Sequence, residues 1–263
     1  MNKIIIADDI IKEEVEDSIE IQKSDANPFF NVKTLNIKIC NNTDLEIEYT
    51  STGEIKLEIY INVLPNVKAE IYEIKENGNY KLQYKYYLEE SSELKVFKFN
   101  NASMLREMSV INLNGKYSSF TQNLRTVSHE KNKYDVMIYH NATNSNSLID
   151  NKGINILEGK TTFNVSSFVP NKVKGCTLKQ KNHIINLTNN KCIIKPNLFI
   201  DEDDVSASHG ALVGTFSKEE LFYLQSRGLT KDEAEKLLVK GILLKDMPKY
   251  HDKIEKTINS YWG

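Results

Sequence analysis

His209 is the residue of this chain whose neighbourhood most invites chemistry. It sits in SASHGA (206–211), between Ser208 and Gly210, with the carboxylate run DEDD (201–204) just upstream. Imidazole carries protons near neutral pH and ligates metals. Small neighbours let a second backbone approach, and carboxylates can orient the ring or share an ion with it. The same residue types also make a solvated turn, and composition alone favours that simpler reading. His129, His140, His183 and His251 form no pair at helical ligand spacing. The three cysteines, Cys40, Cys176 and Cys192, form no CxxC and no Cys/His group of zinc or permanent-cluster spacing. Cys176 follows Gly175 near a turn and Cys192 lies in a short apolar strand, so each reads first as a small core residue.

One further stretch imitates a reactive motif. INILEGKTTF ends in Gly159-Lys160-Thr161, the tail of a phosphate-binding loop. The preceding glycine is Gly153, which leaves five residues between the glycines where the loop needs four. TTFNVSS then reads as strand where a helix is required. The expectation is a turn between strands and no nucleotide site. YKLQYKYYL (80–88) likewise reads as one aromatic core face and one charged outer face rather than a binding platform.

The elements that must position these residues are mostly strands. Residues 1–30 are charged and weakly patterned, which predicts a short helix and a lead-in. From Leu35 the period switches to two: LNIKI, LEIEYT, IKLEIYINV, AEIYEI, YKLQYKYYL and LKVFKF alternate with turns such as NNTD, STGE and ENGN. Alternation rich in β-branched and aromatic residues means half-buried strands. The series runs on through MSVINL, YDVMIYH, GINIL, TTFNVSS, HIINL and KCIIK to LFI at 198–200. Its length without a helix argues against a doubly wound α/β fold. Sandwich, barrel and β-helix stay open on pattern alone, since no repeat with fixed letters is visible. The β region spans 31–214 and a helical region 215–263.

In that last region Ser217 and Glu220 form a capping box, and Gly228 is placed to end the helix. Thr230 and Glu233 form a second box. Ala234, Leu237, Leu238 and Ile242 then lie on one apolar face, where Gly241 leaves a gap or marks the end. Pro248 opens a last amphipathic segment towards Trp262.

Composition bounds the function classes. The chain has 263 residues, 40% of them hydrophobic, enough for one core with a small appended subdomain. A net charge of −2 gives no general nucleic-acid or anionic-membrane footprint. Asp8 and Asp9 interrupt the only early apolar run, so neither a signal peptide nor a span is expected. Unpaired cysteines predict a reducing, cytoplasmic setting.

KPNLFIDEDDVSASHGALVGTFSKEELFYLQSRGLTKDEAEKLL (195–238) resembles the C-terminal signature of the SufB/SufD family, scaffold components of the SUF iron–sulfur cluster assembly system. The matching elements come in order: Lys195-Pro196, Asp203-Asp204, Ser208-His209-Gly210-Ala211, Val213-Gly214, Phe222-Tyr223-Leu224 and Ser226-Arg227-Gly228, then the acidic-Glu-Ala run. HNATNSNSLIDNKGINILEGKTTF (140–163) is similar to the family's strand-turn segment. The resemblance implies a mainly β fold, a right-handed parallel β-helix followed by a small helical subdomain. It implies that the helices dock SufC, the ABC-type ATPase, through Phe222, Tyr223, Leu224, Arg227, Gly228, Leu237 and Leu238, so a missing nucleotide site here is expected. It also implies pairing of two β-helix subunits, as a homodimer or with a SufB-like partner.

A transient iron–sulfur cluster or iron would then be handled at the shared interface. His209 is the expected ligand or proton carrier, with Asp201, Glu202, Asp203 and Asp204 as helpers and Cys176 and Cys192 as sulfur carriers. Departures are Ala207, where SufD-type sequences often have cysteine before Ser-His-Gly, and Ile200, where SufB-type sequences carry one. Ser-His-Gly also replaces the SufB-type Glu-His-Glu. The long N-terminal region of many members is not matched, so a compact version is expected. The implied role is non-catalytic. The alternatives weighed from the residues are a β-helix enzyme acting on polysaccharide and a purely structural interaction module.

Overall fold

A computed structural model describes residues 2–8, 10–24 and 32–262. The expected junction at residues 30 and 31 lies outside them. Strands β1 (Asn2–Ala7), β2 (Ile10–Glu14), β3 (Ile19–Ser24) and β4 (Lys33–Ile39) open the chain. Next come β5 (Thr43–Thr50), β6 (Glu54–Val63), β7 (Lys68–Glu76), β8 (Asn79–Leu88) and β9 (Glu93–Asn101). They are followed by β10 (Met104–Leu113), β11 (Ser119–Ser128), β12 (Lys131–His140) and β13 (Asn146–Asn155). β14 (Lys160–Val169), β15 (Cys176–Asn186), β16 (Ile193–Ile200) and β17 (Val205–Gly214) complete the series.

From β4 onward, odd-numbered and even-numbered strands go to opposite sheets. One sheet has the order β17-β15-β13-β11-β9-β7-β5-β1-β2, the other β16-β14-β12-β10-β8-β6-β4-β3. Neighbours within each run from β4 to β17 are parallel. The result is a parallel β-solenoid of about seven turns. Alternate residues of each strand point into the shared interior, and stacked rungs place Leu35, Ile59, Tyr84 and Ser109 side by side.

The N-terminal segment departs from the helix expected there. β1 pairs in parallel with β5, β2 lies antiparallel on β1, and β3 lies antiparallel on β4. The reason is local: NKIIIA alternates, burying Ile4 and Ile6, and consecutive isoleucines favour an extended backbone. Part of this charged stretch forms the largely exposed strand β2.

The imitation phosphate loop is a turn, as its spacing predicts. Gly159 donates its backbone N–H to Ile156 O at 2.8 Å, and β14 begins at Lys160. A Cβ on Gly159 would lie 2.0 Å from Ser128 O, so the rung below leaves room only for glycine.

Charge is buried inside the solenoid. Lys75 meets Glu73 at 2.7 Å and Glu107 at 3.4 Å, while Lys98 meets Glu107 at 2.6 Å. The Tyr84 hydroxyl donates to Glu73 at 2.9 Å. Burial pushes the Glu107 carboxyl up, but Lys98 and Lys75 outweigh it and hold it below its ordinary value.

Helices α1 (Lys218–Ser226), α2 (Lys231–Leu244) and α3 (His251–Tyr261) end the chain. Both predicted capping boxes form, on Ser217 and on Thr230. Gly228 takes a φ of +97°, the left-handed turn that ends α1. α2 runs through Gly241, and its buried face is Ala234, Val239 and Leu243; Leu237 is 49% exposed and Leu238 and Ile242 are half-buried. The face is rotated from the expected one because α2 and α3 pack together on the outer side of the nine-stranded sheet. There Tyr72, Phe97, Phe99, Val127, Ile154 and Ile185 receive Val239, Leu243, Ile254 and Ile258.

Candidate functional site

His209 lies within a strand, not in a turn. Among the described residues β17 pairs only with β15, and β16 only with β14, so both strands present free edges at the end of the solenoid. The register sets His209 beside Gln180, Gln180 beside Ile149, and Ile149 beside Gln122. In-register parallel neighbours face the same way, so His209 continues the row that lines the interior. It is exposed because no strand among the described residues covers it.

Beneath it the interior is polar. Gln122 donates to Asn151 at 2.9 Å, and Asn151 donates to Asn182 at 2.9 Å. Gln180 donates to Ser167 Oγ at 2.9 Å and Asn197 O at 3.2 Å. Gln180 Oε1 and Asn182 Nδ2 are buried without a hydrogen-bond partner. The histidine thus tops a row whose first member, Gln180, keeps an unmatched acceptor, beside an amide ladder in which Gln122 Oε1 and Asn182 Nδ2 are also unmatched.

The carboxylates are organised separately. Glu202 accepts the backbone N–H groups of Lys172 at 2.9 Å and Asp203 at 3.1 Å. Burial pushes its carboxyl up, and the amides of Asp204, Lys172 and Asp203 outweigh that and hold it below its ordinary value. Glu202 is therefore a staple of the loop before β17. Asp201, Asp203 and Asp204 are exposed, and Asp204 O accepts from Gly175 N at 2.7 Å.

Cys176 stands opposite Val205 at the start of β15, about 13 Å along the strand from the level of His209. Its thiol is buried within 3.4 Å of Ser145 Oγ. Ser145 in turn touches His140 Nδ1 at 2.8 Å, and Ser147 touches His140 Nε2 at 2.9 Å. Burial pushes His140 down to about 4. Cys192 immediately precedes β16, half-buried, with Asn155 Nδ2 at 2.8 Å from its sulfur; burial pushes this thiol up. The fold therefore does not bring His209, the acidic run and the cysteines into one constellation. Among the described residues no three His, Cys, Asp or Glu side chains converge as a metal set.

The helical region presents a second surface. α1 buries none of its residues. Phe222 is 73% exposed, Tyr223 58% and Leu237 49%, while Arg227 lies 5.4 Å from the Tyr223 ring centre. Leu224 and Leu238 are half-buried and Gly228 is exposed. Phe222 and Tyr223 of α1 and Leu237 of α2 are thus large side chains left exposed on neighbouring helices. Sequence reasoning had already selected these residues, but not the polar column below His209, whose members come from strands far apart in the chain. No helix among the described residues is long and apolar enough to cross a membrane.

Comparison with known proteins follows the same lines. The family described as the SufBD core domain, SUF system FeS cluster assembly, matches residues 44–242. The iron–sulfur cluster assembly protein SufD of Escherichia coli is 29% identical over 140 residues, covering 52% of this chain and 33% of that protein. SufD of Bacillus subtilis is 54% identical over 48 residues, covering 18% of this chain and 11% of the relative. A SufBD family protein of Pyrococcus horikoshii is 46% identical over 56 residues, covering 20% and 13%. Each of these matches spans a third or less of the relative's length. With the family's core domain matched over most of a parallel solenoid, the chain belongs to the SufBD family of the SUF iron–sulfur cluster assembly system.

Proposed function

We propose that this chain is a non-catalytic scaffold subunit that works with a SufC-type ABC ATPase to assemble or deliver iron–sulfur clusters in the cytoplasm. The observation that carries the reading is the position of His209, at the end of the interior row and on a strand with a free edge. A second β-helix subunit, another copy or a SufB-like partner, would pair there by adding its own strands to β16 or β17. Imidazole would then ligate iron or move a proton at the shared interface, with the nascent cluster as cargo. Thiolates suit iron and sulfide better than imidazole does. Ala207 and Ile200 leave this strand end without one, so the thiolates would come from the paired subunit.

The exposed Phe222, Tyr223 and Leu237 are the proposed SufC surface. α2 and α3 pack on the same sheet that ends in β17, so closure of two bound ATPases would bias the arrangement of the paired solenoids. Co-purification tests this. Tagged chain should retain SufC, and Phe222→Glu/Leu237→Glu should lose it while melting at an unchanged temperature, since neither side chain is buried. SufC retained equally by the folded variant would refute the surface.

A further inference from the structure

The outer faces of the two sheets differ. Helices cover the nine-stranded sheet, whereas no helix among the described residues packs on the outer side of the eight-stranded sheet. Two adjoining hollows, of about 580 and 320 Å³, cross that open face and share Lys81 and Arg106. The larger is lined by Lys81, Arg106, Lys131, Lys133 and Lys195 and, among the described residues, by no carboxylate. The smaller adds Lys56, with Glu58 the only acidic residue among the described ones that line it.

Parallel register creates this trough. Lys56, Lys81, Arg106 and Lys133 occupy one row across β6, β8, β10 and β12, so like charges repeat about every 4.8 Å. Glu54 partly offsets Lys56 and Lys81, at 3.1 and 2.7 Å, and Asp135 offsets Lys133 at 2.8 Å. Arg106, Lys131 and Lys195 have no ion pair among the described residues, and all three are exposed. A net charge of −2 for the chain hides this local excess.

Shape and lining choose among anionic ligands. The trough reaches from β6 to β16, six strands and about 24 Å, the span of about seven residues of extended peptide. A compact anion would meet only part of the row. Among the described residues no aromatic side chain lines either hollow, so they offer no stacking platform of the kind single-stranded nucleic acid uses. Met104 and Met108 supply adaptable apolar contacts between the cations.

We propose that this trough is a docking site for an extended acidic segment of a partner protein. The trough lies on the outer face, reaches β16 only through Ile193 and Lys195, and shares no residue with the His209 row or the helical surface, so its test is read separately from the scaffold reading.

The test uses the full chain and fluorescence anisotropy. The probes are a labelled Glu/Ser peptide of about ten residues, its Gln/Ser counterpart and an oligothymidylate of equal charge. The expected result is saturable binding of the Glu peptide that weakens at least tenfold between about 50 and 200 mM salt. The Gln peptide should not bind, and the oligothymidylate should bind more weakly than the Glu peptide. Arg106→Glu/Lys131→Glu should cut affinity for the Glu peptide at least tenfold with an unchanged melting curve. If that double variant fails to fold, Arg106→Gln/Lys131→Gln replaces it, with the same loss expected. Absence of saturable Glu-peptide binding, undiminished binding by the folded variant, or tighter binding of the oligothymidylate would each overturn the proposal.

Discussion

Two histidines show how differently one residue type behaves when its surroundings change. His209 is exposed on a terminal strand, so truncating it removes little packing. His209→Ala should lower stability by no more than about 1 kcal/mol. Loss of a ligand or its orienting group typically costs about 10–100-fold in metal affinity, so cluster absorbance in the reconstituted complex should fall on that scale. Normal melting with wild-type assembly would reduce His209 to a surface residue. His140 is the converse: it is fully buried between two serine hydroxyls, and burial pushes it down to about 4. The unfolded imidazole takes up its proton first, near 6.5. Its contribution is therefore complete above 6.5 and is lost as pH falls through about 4, a decline of about 3 kcal/mol. Urea midpoints from pH 7 to 4 should drop less steeply for His140→Asn than for the wild type. Parallel curves would exclude His140 as a source of the acid sensitivity.

At the scale of elements, glycine use follows the distance between rungs. Gly159 closes a turn so tightly against Ser128 O that an added Cβ would lie 2.0 Å away, whereas Gly53 has nothing within 4 Å. Gly159→Ala should therefore cost about 2–3 kcal/mol in urea unfolding, and Gly53→Ala should stay within about 0.5 kcal/mol. Equal effects would show that the turns adapt freely. The helices obey a different balance. Their ends were legible because Ser217, Thr230 and their partner glutamates cap through bonds made within one turn. The buried face of α2 was not, because a helix offers several apolar stripes. The sheet it meets selects Ala234, Val239 and Leu243.

At the scale of the whole molecule, stacking turns side chains distant in sequence into continuous rows. Glu73, Lys75, Lys98 and Glu107 become one buried ionic group drawn from β7, β9 and β10. Desolvating four charges is expensive, and mutual pairing with the Tyr84 hydroxyl offsets it only if all members are present. The same stacking yields the polar column under His209 on the inside and the cationic trough on the outside.

The sequence by itself determined the strand series, the turn at Gly159, both helix caps, the absence of phosphate-loop spacing and the family signature around His209. Each of these rests on periodicity, local hydrogen bonding or an ordered motif, all carried by neighbouring residues. Tertiary structure decided the rest. Only pairing between successive turns chose the solenoid from three β architectures. The repeat had left no fixed letters because Leu35, Ile59, Tyr84 and Ser109 need only share an inward position. Pairing also drew the N-terminal segment into strands, since β1 and β3 find their partners in β5 and β4, later in the chain. It kept Cys176 and the DEDD loop apart from His209, although both lie near it in sequence or topology, because a strand advances about 3.3 Å per residue and carries its two ends out of reach of each other.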